Sequence, residues 1–387
     1  MRSLKFLAVL TFLCGSCLEP YSPEINADSI DALVVDGHID SSGEGTVLLS
    51  RAIPLYKFAD TPKETGATVS IESSTGENFS LPEITPGHYT ATSLPVNYTS
   101  SYTLRVQTAN GREYKSDTVR IHQTPNVDKI YFAVSATGNE IEFRSDAIDL
   151  NKNTTGFYAF ECIETYEYRS QLFSRFKRIN GMPVQRHHGE YVDTCWIEVP
   201  IPMSLASTGH LSQNKIVGHR LTSIPRASKK ISRRYSILVK QRTISEQEYN
   251  YRVQLEKTNN QQGGIFAEIP GSVVSNVFNI SDRSEIVLGY FRGQEVKQLR
   301  YFIGRGALPE DFEVDPPPDN CDTDTTCPTN MPVNGPNQCI DIALLSESKV
   351  IITSMELRNS VVYVYSTPEC GDCTASGGKA TPPDYWY

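Results

Sequence analysis

Apolar residues recur at every second position over short runs of this chain. Ala67, Val69 and Ile71 alternate with Thr68, Ser70 and Glu72, and Tyr102, Leu104 and Val106 alternate with Thr103 and Arg105. A period of two sends successive side chains to opposite faces, so each run predicts a strand with one face in a core. Residues 33–39, 46–53 and the stretch opened by Gly87-His88-Tyr89-Thr90 add further strands. Ser73-Ser74-Thr75-Gly76 and Asn110-Gly111 are hairpin signals, because Asn and Gly accept positive φ. Short strands packed this densely into residues 32–124 predict an immunoglobulin-like β-sandwich.

Gln123-Thr124-Pro125-Asn126 reads as a linker into a second, larger β-rich domain over residues 125–308. Residues 130–134, 141–144, 157–168, 235–243 and 286–291 are its expected strands, and Arg292-Gly293 its expected turn. One helix is well signalled. Ser245-Glu246-Gln247-Glu248 is a capping box, in which the Ser245 hydroxyl satisfies the Glu248 amide while Glu248 reaches back. The helix is expected over residues 245–260, with Gly263-Gly264 ending it. From Pro309 onward, Asp315-Pro316-Pro317-Pro318-Asp319 and a cysteine-rich run mark an irregular segment, residues 309–387, packing on the second domain. Within it residues 340–345 read as a short helix or strand, and 349–353 and 361–365 as late strands. The fold class is therefore mainly β: a sandwich, a larger β-rich domain with one clear helix, and a disulfide-rich C-terminal segment.

The first residues carry a different message. Arg2 and Lys5 precede the apolar run Phe6-Leu7-Ala8-Val9-Leu10-Thr11-Phe12-Leu13, which is too short to cross a bilayer. Leu13-Cys14-Gly15-Ser16-Cys17 follows, with small residues in front of a cysteine. Residues 1–16 are thus expected to be a lipoprotein signal peptide, and Cys17 the lipid-bearing first residue of the mature chain. Cys14 is the competing site, but Thr11-Phe12-Leu13 before it is bulky. Residues 17–31 read as a tether, held extended by Pro20 and Pro23. No Asp follows Cys17 directly, which points to the outer membrane, on its periplasmic or its extracellular face.

A formal net charge of −9 argues against general nucleic-acid binding, which needs a basic footprint. The single basic run noted, Arg226-Ala227-Ser228-Lys229-Lys230-Ile231-Ser232-Arg233-Arg234, reads as a solvated loop and strand start, or more weakly as a contact for phosphorylated lipopolysaccharide. Of the nine cysteines, seven remain beyond Cys17: Cys162, Cys195, Cys321, Cys327, Cys339, Cys370 and Cys373. An exported chain meets an oxidising compartment, so disulfides are the expectation, with one thiol left over. Cys162–Cys195 is the expected bridge of the middle domain, and Cys370 and Cys373 are expected to reach back to the loop holding Cys321 and Cys339. A zinc knot or a redox pair built on Cys370-x-x-Cys373 is the alternative.

No defensible catalytic set emerges, and no cofactor or metal is expected. The chain has no His-Glu-x-x-His, no Gly-x-Ser-x-Gly and no phosphate-cradling loop. His187-His188-Gly189-Glu190 places three potential ligands together, but Asn180-Gly181 and Pro183 before it indicate a surface loop. Asp149-Leu150-Asn151-Lys152-Asn153 resembles the start of a calcium loop without its glycine or final acid, and Asp319, Asp322 and Asp324 are a weaker candidate.

Two resemblances add to this. Gly66-Ala67-Thr68-Val69-Ser70-Ile71 with Pro86-Gly87-His88-Tyr89 resembles the transthyretin-like or carboxypeptidase-regulatory-like sandwiches, which act as spacers and binding platforms. The order Ile244-Ser245-Glu246-Gln247-Glu248-Tyr249, Gly263-Gly264-Ile265-Phe266, Asn279-Ile280, Leu288-Gly289-Tyr290-Phe291, Cys370-Gly371-Asp372-Cys373 and Pro383-Asp384-Tyr385-Trp386 is similar to the Bacteroidota lipoproteins known as domain of unknown function 4249. That resemblance implies an envelope role beside a TonB-dependent β-barrel transporter, and no reaction. The expected function is a non-enzymatic accessory lipoprotein, anchored in the membrane through its N-terminal lipid. A stand-alone glycan- or peptide-binding lipoprotein, and more remotely a hydrolase with dispersed acids, are the alternatives.

Overall fold

The computed structural model describes residues 32–53, 61–148, 155–209, 211, 214–260, 275–312, 321–326, 345, 348–357 and 360–386. Strand makes up 54% of it and helix 9%, so the mainly β expectation holds. The signal, the tether with Cys17, the Asp149–Asn153 turn, Gly263-Gly264, and Cys327 and Cys339 lie outside the described residues.

Short alternating runs form β1 (Leu33–Asp40), β2 (Gly45–Arg51), β3 (Thr68–Ser73), β4 (Asn78–Leu81), β5 (Glu83–Thr85), β6 (His88–Ala91), β7 (Ser101–Gln107), β8 (Glu113–Ser116) and β9 (Val119–Arg120). Gly76 and Gly111, both at positive φ, close the β3–β4 and β7–β8 hairpins where the sequence signals them. The second region holds β10 (Val127–Val134), β11 (Glu140–Ile148), β12 (Phe157–Arg169), β13 (Phe176–Ile179), β14 (Met182–Gln185), β15 (Thr194–Ser207), β16 (Lys215–Pro225) and β17 (Arg234–Ile244). Helix α1 (Glu246–Asn260) follows, then β18 (Val277–Asn279), β19 (Val287–Gln294) and β20 (Val296–Gly304). The C-terminal part adds β21 (Asp324–Thr325), β22 (Val350–Leu357), β23 (Ser360–Ser366) and the single-turn helix α2 (Pro368–Gly371).

Sheets β19-β1-β2-β6-β5 and β18-β8-β7-β3-β4 face each other over the first core, where Tyr89, Tyr102 and Tyr114 are fully buried. Each buried phenol has a partner: the Tyr89 hydroxyl donates to Glu64 O and accepts from Ala67 N, and that of Tyr114 donates to Glu285 Oε1 at 2.6 Å. A boundary at residue 124 does not partition this packing. β19 pairs in parallel with β1, Leu33 opposite Val287 through Asp40 opposite Gln294, and β18 pairs with β8. The run at 286–291, expected in the second domain, thus completes the first sandwich and supplies its fully buried Phe291. Arg292-Gly293 is strand here rather than turn. A Cβ on Gly293 would stand 2.5 Å from the Arg120 carbonyl oxygen, so the glycine admits a close backbone neighbour.

The second core lies between β10-β11-β16 and β15-β12-β17-β20, around Phe143, Phe160 and Tyr235. Thr124 and Pro125, read as linker, are a clamp between the two units. Thr124 N and Oγ1 donate to Glu295 Oε2 and Glu295 O, each at 2.7 Å. Thr243 N donates to Thr124 Oγ1, and Gln241 Nε2 to Pro125 O.

Candidate functional site

Helix α1 contacts strands of both units. Its start follows the sequence reading: Ser245 Oγ accepts the Glu248 amide at 3.1 Å. The Glu248 carboxylate, however, is engaged inward. It lies 3.3 Å from Arg242 Nη1 and 2.7 Å from Arg252 Nη2, with Glu248 and Arg242 side chains only 3% and 2% exposed. Arg242 also holds Glu161 through Nη2 at 2.9 Å. Burial alone would raise the Glu248 carboxyl, but Arg242, Arg252 and Arg292 overcome it and hold the group below its ordinary value.

Aromatic rings complete the seat. Tyr251 packs on Tyr290 of β19 at 4.8 Å, and Tyr249 on Phe157 of β12 at 5.0 Å. Burial, then Glu248, pushes the Tyr290 phenol up to about 12. Gln247 Nε2 donates to Asp117 Oδ2 at 3.0 Å. One helix therefore binds the first sandwich through Tyr290 and Asp117 and the second through Arg242 and Phe157. β19 reaches this seat only because Gly289 takes φ +94 beside β1, where a Cβ would stand 1.9 Å from the Val35 carbonyl oxygen.

Two clefts flank the helix and share Tyr290 and Arg292. One, of about 240 Å³, is lined by Thr118, Arg120, His122 and Gln247. The other, of about 390 Å³, is lined by Asp36, Glu161, Met203, Arg252 and Leu255. Arg292 lies between them with Nη1 2.6 Å from Asp36 Oδ1. Against ligand pockets of roughly 300–1,000 Å³ the first falls short and the second lies at the low end. At their walls Arg252 and Arg292 hold Glu248 and Asp36.

The cysteines depart from the expected pairing. Cys195 bonds Cys373, and Cys321 bonds Cys370. Cys162 is a buried free thiol. A Cys162–Cys195 bridge is excluded by register: Cys195 stands opposite Tyr168, six residues along β12 from Cys162, about 20 Å at strand rise against a limit of about 7 Å. Burial, with Glu161 and Glu164 adding to it, pushes the Cys162 thiol up to about 12. Cys370 does reach Cys321, but Cys373 reaches Cys195 instead. With both sulfurs committed to separate bridges, Cys370-x-x-Cys373 is neither a redox pair nor a zinc knot.

The other candidates fall apart similarly. Glu190 accepts from Lys177 Nζ and from His187 N, tying the His187-His188 loop shut. Asp324 Oδ2 accepts the Tyr365 hydroxyl, and Asp319 is outside the described residues. The basic run is engaged internally: Lys230 and Arg233 hold Glu164 and Glu167, Arg226 stacks on Phe312 and Arg234 on Phe302 and Trp386. Asn180-Gly181, read as loop, is the tip of the β13–β14 hairpin, with both residues at positive φ. What sequence reading missed is the Arg242–Glu248–Arg252 cluster. The spacing of Glu248 and Arg252, one helical turn apart, was its only local signal.

The family model described as "Domain of unknown function (DUF4249)" matches residues 18–300. A search of curated proteins finds no match. Among solved structures, the crystal structure of chicken CNTN1 FN1-FN3 domains is similar at 12% identity and a TM-score of 0.19, covering 55% of this chain. The chain spans 62% of that structure's length.

Proposed function

This chain belongs to the DUF4249 family, and we propose that it is a non-enzymatic outer-membrane lipoprotein working beside a TonB-dependent transporter. The observation that carries the reading is Leu13-Cys14-Gly15-Ser16-Cys17 directly behind a short apolar run. Acyl chains on Cys17 confine the body to the membrane plane, which raises its effective concentration near a barrel without tight contacts. On this reading the first sandwich is a transthyretin-like or carboxypeptidase-regulatory-like spacer, and the source a member of the Bacteroidota.

Labelled palmitate should enter the protein and be lost in Cys17→Ser, and mild-detergent purification should enrich a β-barrel transporter. Absence of label, or repeated native preparations without a barrel, would overturn the reading. The clefts beside Tyr290 and Arg292 favour a second reading, a stand-alone glycan- or peptide-binding lipoprotein. Binding on a glycan or peptide array that is abolished by Arg292→Ala would select it.

A further inference from the structure

The β13–β14 hairpin has two unlike faces. Its register pairs Phe176 with Gln185, Lys177 with Val184, Arg178 with Pro183 and Ile179 with Met182. Strand alternation therefore puts Lys177, Ile179, Met182 and Val184 on one face and Phe176, Arg178 and Pro183 on the other. The second face is the inner one: Phe176 meets the Tyr363 ring edge-on at 5.5 Å, and Arg178 Nη1 donates to Leu345 O at 2.7 Å. The first face looks outward, and its apolar members are uncovered: Ile179 is 47%, Met182 57% and Val184 36% exposed.

Cations stand at the base of that outward face. Arg186 N donates to Arg175 O, which continues the ladder one pair beyond the strands and brings Arg175 and Arg186 to the same side as Lys177. Residues 175–188 contain Arg175, Lys177, Arg178 and Arg186, with His187 and His188, and no Asp or Glu, in a chain of net charge −9. Arg186 Nη1 donates to Glu190 O at 3.0 Å, while its buried Nε has no hydrogen-bond partner among the described residues. Glu190, from the following loop, is the one carboxylate seen on this group, through Lys177. The hairpin is thus apolar at its tip and cationic about 7–13 Å behind it, at 3.3 Å of rise per residue. That spacing matches side chains entering a bilayer by about 5–10 Å with arginine and lysine level with the phosphates. As a two-stranded ladder it leaves its outer backbone edges outside the pairing, so only side chains enter and the backbone stays at the polar interface.

We propose that the β13–β14 hairpin is a second, non-covalent membrane contact that inserts Ile179, Met182 and Val184 into an anionic lipid surface. It extends the anchored reading without relying on acylation, so the two can fail separately. The test uses the full chain carrying Cys17→Ser, so that no acyl chain contributes, in co-sedimentation with phosphatidylcholine vesicles with and without phosphatidylglycerol. Binding to the anionic vesicles is expected, weakening at high salt. The double variant Ile179→Ser/Met182→Ser should lose it by about tenfold or more, and Arg175→Gln/Arg186→Gln should abolish the preference for phosphatidylglycerol. These side chains are at the surface, so unchanged circular dichroism should accompany the loss. No sedimentation with anionic vesicles, or equal binding by the serine variant, would overturn the proposal. So would capture by immobilised polyglutamate that is unaffected by the serine changes, which would point to an acidic protein surface instead.

Discussion

Gly289 and Cys162 are constrained by opposite means, one by backbone and one by burial. At Gly289 a methyl group would meet the Val35 carbonyl oxygen at 1.9 Å while φ sits at +94, so β1 and β19 cannot both keep their place. Gly289→Ala should lose at least about 3 kcal/mol in urea denaturation, beyond what an ordinary surface substitution costs. A loss below about 1 kcal/mol would mean that the parallel pairing relaxes easily. Cys162 is 4% exposed, and with its thiol pushed up to about 12, about one molecule in ten thousand carries thiolate at pH 8. Alkylation followed by peptide mapping should leave Cys162 unmodified in native protein and label it fully in urea. Both residues show where sequence reading stops. Gly289 stood in a quoted motif, but only the neighbouring strand explains it. Cys162 was assigned to Cys195 because the two are close in sequence order, and the sheet register that separates them is a long-range property.

At the scale of elements, α1 was legible because its signals are local: a hydroxyl cap, a carboxylate three residues on, and a continuous run of helix formers. Its partners were not, because Phe157 and Tyr290 come from strands whose registry no local pattern sets. The paired short strands of the first sandwich were read for the same reason as the helix. β13 and β14 carry no strand expectation in the sequence, because their inward face, Phe176 and Arg178, packs on residues far along the chain. The consequence for α1 is electrostatic. Removing one member of a buried ion pair leaves uncompensated charge, typically about 3–5 kcal/mol. Glu248→Gln should therefore destabilise by about 3 kcal/mol at pH 7, removing the carboxylate that Arg252 holds and leaving Arg242 with Glu161 alone. Since the folded-state carboxyl of Glu248 lies below its ordinary value, its contribution is present in full above the unfolded value of 4.5 and is lost as pH falls through the folded one. Urea midpoints of wild type and variant should accordingly converge as pH drops below 4.5. A gap that stays constant down to acid pH would show that Glu248 acts by packing rather than by charge.

The whole molecule is knitted by segments that return from far along the sequence. β19 lies some 250 positions after β1 and is its parallel neighbour, the Cys195–Cys373 bridge spans 178 residues, and Tyr385 donates its hydroxyl to Glu198 near the chain's end. Such returns cannot be read from composition or turn chemistry, which is why a division at residue 124 looked natural. That division makes a definite forecast. If residues 32–124 were a self-sufficient sandwich, that fragment should fold alone. The structure says otherwise: without β18 and β19 it loses Val277, Val287 and the fully buried Phe291 from its core, and the backbone of β1 faces solvent along its length. An open, flat strand edge beside an emptied core invites association rather than folding. Fragment 32–124 should thus give poorly dispersed amide resonances and sediment as aggregate, whereas the whole chain should unfold with its two sandwiches in one cooperative transition. A dispersed spectrum and a sharp thermal transition from the fragment would show that β1 tolerates a bare edge, and that the returning strand is an addition to the first sandwich rather than a part of it.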